Sequence, residues 1–171
     1  MLQLLSNSLL PALLIVAATS DVVSLRIPNW LTALTAALFF PMALATAMPL
    51  AEFEMHLLVG AGLFVTGFLF FQLGVFGGGD AKLMAAAGLW FGTAQTLPFL
   101  FMTAMAGGLL AIVVGMWSMA SLHWDIHASD VKLGSVGKRI LALKPNVPYG
   151  LAFAVGGIIA FRDSWWMHAI S

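Results

Sequence analysis

The sequence predicts an all-α fold, a polytopic membrane protein with about six transmembrane helices, and three observations carry that expectation. Of 171 residues, 61% are hydrophobic and only 8% are charged, where soluble domains average roughly 25% charged. The mean hydropathy is +1.01. The apolar residues also fall in long runs bounded by charged or turn-forming residues, and about 20 apolar residues in a helix cross a hydrocarbon core of roughly 30 Å. The composition excludes other classes. Seven Lys and Arg balance seven Asp and Glu, so no net charge draws the chain to nucleic acid. With no cysteine, disulfides, thiol catalysis and thiolate zinc sites are ruled out.

The first span runs from about Leu2 to Ser20. It has no basic residue ahead of its apolar stretch and Asp21 follows it directly, so it reads as an integral helix and not as a cleaved signal. The second runs from about Trp30 to Met48; Pro28 suits its first turn, and Asn29 beside it can bond free backbone groups. The third runs from about His56 to Val75. The fourth, about Ala81 to Leu97, is short, and Pro98 then suits the first turn of a fifth reaching Leu122. Gly88 and Gly92, four residues apart, suggest close helix packing there. A polar stretch from His123 to Asn146 follows. The sixth span starts near Val147 and runs into Phe161, with Trp165 and Trp166 as an interfacial anchor. Residues 1–171 therefore read as a single transmembrane domain.

Positive residues stay on the cytoplasmic side of a membrane, and alternating spans sort the loops into two sets. One set holds Arg26, Lys82, Lys132, Lys138, Arg139 and Lys144; the other holds only Arg162, together with Glu52 and Glu54. Both termini are therefore expected outside the cytoplasm, with residues 21–29, 76–82 and 123–146 at the cytoplasmic face. Glu52 and Glu54 read as solvated boundary charges in the opposite loop.

This topology brings Asp21 and Asp80 to one depth on one side. An ionisable group at a membrane boundary is costly to desolvate unless paired, solvated or functional, although each Asp alone could simply end a helix at the headgroups. Asp80 follows Gly77, Gly78 and Gly79, and such a run permits close backbone approach, a flexible loop or tight helix packing. If the two carboxyl groups meet, repulsion and partial burial keep one protonated while the other is ionised. That state suits peptide hydrolysis. The ionised Asp takes a proton from an attacking water, while the protonated one polarises the scissile carbonyl and later helps protonate the leaving amine. No metal, cofactor or side-chain nucleophile is needed.

Asp21 followed by Arg26-Ile27-Pro28-Asn29, Gly77-Gly78-Gly79-Asp80-Ala81-Lys82-Leu83 and the late Val147-Pro148-Tyr149-Gly150 together resemble the type IV prepilin peptidases. These are intramembrane aspartic proteases of the Gly-x-Gly-Asp type, and the expected number of spans agrees. The resemblance implies that Asp21 and Asp80 are the catalytic pair. It places Arg26, Pro28, Asn29, Gly77, Gly78, Gly79, Lys82, Pro148, Tyr149 and Gly150 in motifs near the substrate. It further implies removal of a short basic leader from a prepilin or pseudopilin at the cytoplasmic face of the bacterial inner membrane. The length resembles the short members that serve Flp-type or tight-adherence pili. Longer relatives also methylate the new amino terminus through a region carrying cysteine pairs; this chain has no cysteine, and methylation is not expected of it.

Arg26 and Lys82 lie near the aspartates in sequence and would favour an ionised carboxylate, or would serve topology and reach the headgroups. His123, Asp125, His127 and Asp130 are the densest group of metal-ligand types. Trp124 and Ile126 interrupt them as in an interfacial segment, so the expectation is a cytoplasmic loop whose Lys132, Lys138, Arg139 and Lys144 meet anionic lipids. Two other readings compete. A small proton-coupled transporter or channel component would use the two Asp as a relay, but would place ionisable groups along the membrane interior. A non-catalytic pilus assembly protein would keep its role without either carboxyl group.

Overall fold

A computed structural model describes residues 2–125 and 148–168, with side chains described over 4–117 and 148–167. The described residues form helices and turns: α1 (Leu2–Ser24), α2 (Asn29–Ala45), α3 (Leu50–Gln72), α4 (Gly78–Asp125), α5 (Tyr149–Phe161) and the short α6 (Trp165–His168). Leu4–Ser24, Leu50–Gln72 and Gly78–Trp117 are long and apolar enough to cross a membrane, and α2 and α5 are shorter apolar helices. Large apolar side chains such as Val65, Phe68, Phe101 and Ile112 face outward, as lipid-facing positions require.

The longest helix sets the architecture. Gly92 has φ 58° and ψ −163° inside α4, a left-handed conformation open to glycine without a Cβ penalty. The chain turns back there. The Phe91 and Phe99 rings stack with centroids 4.5 Å apart, although eight residues along a straight helix would separate them by about 12 Å. The fourth span was expected to end at Leu97 and the next to start at Pro98; the break instead falls at Gly92, and Pro98 lies within the second limb. Proline tolerates a first helical turn, but glycine tolerates the backbone angles of the bend itself.

Other boundaries differ for local reasons. The third span was expected from His56, but α3 begins at Leu50 behind Pro49, so Glu52 lies in its first turn and Glu54 also lies in the helix, not in a loop. An acidic group in a first turn complements the helix dipole. Pro28 sits one residue before α2, at its N-cap with φ −62° and ψ 139°. The sixth span was expected from Val147, and its described helix starts at Tyr149.

Helix α4 packs most extensively on α3 and α5, while α1 lies on α5 and α2 rests more lightly on α4. A Cβ at Gly67 would come within 3.1 Å of the Ala81 backbone, so α3 and α4 approach closely near the start of α4. At the other end Phe39, Phe91, Phe99, Phe161, Trp90 and Trp166 are fully buried. Trp166 was expected as an interfacial anchor; it is in the core because its Nε1–H donates to the Trp90 carbonyl at 2.6 Å. That carbonyl belongs to the turn before the bend. The neighbouring Leu89 carbonyl meets His56 Nδ1 at 2.6 Å, so side chains cap the end of the first limb, where the backbone ladder is interrupted.

Candidate active site

Three chain segments converge where α1 ends and where α4 and α5 begin. Asp21 occupies the last turn of α1 and is buried. Its own carbonyl accepts the Leu25 N–H at 2.7 Å, and Leu25 then takes φ 53°, which turns the chain out of the helix. Ser20 and Ser24 place their hydroxyls 3.0 and 3.2 Å from the Arg26 carbonyl. The following turn is thereby tied back to α1, and buried Ile27 is directed inward.

Ile27 explains the third glycine of the run. A Cβ on Gly79 would stand 3.0 Å from Ile27 Cβ and 3.2 Å from its carbonyl oxygen. Only a residue without a side chain lets the Arg26-Ile27-Pro28-Asn29 turn lie against the start of α4. Gly77 is the N-cap of α4: its carbonyl accepts the Ala81 N–H at 3.1 Å, and its N–H donates to Asp80 Oδ2 at 3.2 Å. The Asp side chain three residues into the helix thus reaches back to the cap, as in half of a capping box. Gly78 is in ordinary contact with the Phe71 ring, its nearest approach to a Cβ there being 3.4 Å.

The third segment is the start of α5. The Gly150 N–H donates to Asp21 Oδ2 at 2.7 Å, and a Cβ on Gly150 would lie 2.8 Å from Asp21 Cβ and 2.9 Å from Oδ2. Pro148 precedes the helix at its N-cap. Tyr149 is half-buried, with its ring 5.8 Å from that of Phe76 at a 54° tilt. Phe76 directly precedes Gly77, as Tyr149 precedes Gly150, so the aromatic pair adjoins the backbone donors of both carboxyl groups.

Asp21 and Asp80 lie close enough for the charge of one to act on the other. Asp80 is half-buried. Of the secondary residues, Lys82 and Asn29 meet directly: Lys82 Nζ donates to Asn29 Oδ1 at 2.9 Å. Asn29 was expected to bond free backbone groups; its oxygen is instead directed across to Lys82 of α4, and α2 has no side-chain cap because its N-cap is Pro28. Arg26 is exposed, and its carbonyl is the part of it that holds the turn. All twelve residues singled out in the sequence therefore lie in these three segments or beside them.

Sequence reasoning passed over Ile27 and Phe76 as site residues, although both stand inside the quoted motifs; their apolar character gave no chemical signal. Among the described residues, no group of three His, Asp or Glu could hold a metal ion. His127, Asp130, Lys132, Lys138, Arg139 and Lys144 lie outside the described residues, and for His123 and Asp125 the backbone alone, in α4, is described.

No curated protein matches this chain, and no solved structure matches it. The sequence model of the type IV leader peptidase family matches residues 8–112. That stretch includes Asp21, the turn at Ile27, the glycine run and Asp80. The match covers more than half of the chain, and the chain belongs to the type IV leader peptidase family.

Proposed function

We propose that this chain is an aspartic endopeptidase of the bacterial inner membrane that removes the leader of a prepilin-type substrate at the cytoplasmic face. Asp21 and Asp80 are the catalytic pair in this reading. The observation that carries it is the matched fixing of the two carboxyl groups: each uses Oδ2 to accept one backbone N–H, from Gly150 or from Gly77. The charge of Asp21 also reaches Asp80, which supports reading the two groups as a pair. Oδ1 of each then serves a water and the proton in flight. One carboxylate deprotonates the water as it attacks the scissile carbonyl; the other, as the acid, polarises that carbonyl and protonates the leaving amine.

The cytoplasmic placement rests on the Lys and Arg asymmetry of the loops. The short connection between α1 and α2, residues 25–28, supports peptidase activity without methylation, as in the short Flp-type members. Co-expression with a prepilin from the same genome, with leader removal followed by mass, tests the reading. Wild type cleaves; Asp21→Asn and Asp80→Asn reach the membrane in normal amounts and do not. Cleavage by either Asn variant would overturn the aspartic mechanism.

A further inference from the structure

A groove opens between α3, the second limb of α4 and α5, with a volume of about 480 Å³. Phe76 and Tyr149 stand at its rim, Met84 forms a wall, and Ala104, Gly108 and Ala111 of the second limb also line it. A second groove of similar size, about 500 Å³, lies between α2, α3 and the first limb, with Lys82 and Asn29 at its mouth. Helical geometry separates the two. Met84 is four residues from Asp80 and shares its face of α4, whereas Lys82, two residues on, lies on nearly the opposite face. The first groove therefore lies on the Asp80 face of α4, with Met84 one turn beyond that residue. Its rim residues immediately precede the two glycines that donate to the Asp80 and Asp21 carboxyl groups.

Resting on the peptidase reading above, the geometry points to this first groove as the seat of the first turns of the substrate's own apolar membrane helix. In the prepilin peptidases that the motifs resemble, the cut falls just before that helix, so in this reading the helix leaves the active site directly at the scissile bond. The groove offers such an exit. On α3 it extends from Phe70 to Leu63, a rise of about 10 Å, or about two helical turns. Its small residues allow the close backbone approach by which helices associate in lipid. A Cβ added at Gly108 would meet nothing within 4 Å, so that position faces open space.

Disulfide capture tests the assignment, and the absence of cysteine from the chain makes single-Cys variants unambiguous. Gly108→Cys in the first groove and Ala33→Cys in the second are each combined with Asp80→Asn and with a prepilin carrying one cysteine in the first two turns of its helix. The expected result is capture at Gly108→Cys several-fold above Ala33→Cys. Capture chiefly at Ala33→Cys, or at neither position, overturns the proposal. Capture does not depend on cleavage, so capture at Gly108→Cys together with continued cleavage by Asp80→Asn would keep the groove and remove the aspartic mechanism alone. As a second readout, Gly108→Leu raises KM by at least about tenfold while kcat is retained. Gly62→Leu, also in open space but lining neither groove, leaves both unchanged. An unaltered KM in Gly108→Leu counts against the groove.

Discussion

Replacing Gly150 with alanine tests whether the start of α5 holds Asp21 in place. The added Cβ would lie 2.8 Å from Asp21 Cβ, where carbon atoms prefer about 3.5–4.0 Å. Both residues are buried, so relief requires α5 and the end of α1 to part by about 0.7 Å. The Gly150 N–H bond to Oδ2, 2.7 Å long, would then stretch to about 3.4 Å, beyond the useful range for N–H···O. A hydrogen bond to a charged group is worth about 1.5–3 kcal/mol. If that interaction orients the reacting carboxyl group, its loss lowers kcat by about 10- to 150-fold. The assay is leader removal under saturating prepilin in proteoliposomes, normalised to the amount of inserted enzyme, with Gly62→Ala as the control because its Cβ meets nothing within 4 Å. Gly150→Ala with wild-type kcat would refute the idea that this backbone donor positions Asp21.

Two further predictions follow from other contacts. Trp166→Phe removes the donor to the buried Trp90 carbonyl and should cost about 1–3 kcal/mol of stability; an unchanged midpoint of thermal unfolding in detergent would contradict the capping role given to Trp166. Lys82→Met breaks the exposed 2.9 Å bond to Asn29, and, as for other exposed charged contacts, its effect on kcat should stay within about fivefold. A loss comparable to that of Asp80→Asn would mean that Lys82 acts in the chemistry itself.

The helical class could be read from the sequence because it follows from counting apolar runs, and alternating their direction gave the reason to look at Asp21 and Asp80 together. The reason for each glycine could not. The run at 77–79 was compatible with looseness as much as with tight approach, and only the position of Ile27 against Gly79 decides between them. Likewise Pro98 seemed the natural divider between two spans, whereas the bend uses the positive φ of Gly92, which no composition rule distinguishes from a packing glycine. Trp166 misled for a related reason. A tryptophan near a chain end reads as a headgroup anchor until the bend exposes a carbonyl for its indole to meet.

The position of that bend also governs how the protein sits in lipid. From Gly78 to Phe91 the first limb has fourteen residues, a rise of about 21 Å; α5 has 13, about 20 Å. Both fall short of the roughly 30 Å hydrocarbon layer. Two helices that carry the candidate site are thus shorter than the hydrocarbon layer, a mismatch that a bilayer relieves by thinning locally around them. The acyl-chain length of the host membrane would then set how deep Asp21 and Asp80 lie: longer lipids would submerge them, and shorter ones would bring them toward the aqueous phase.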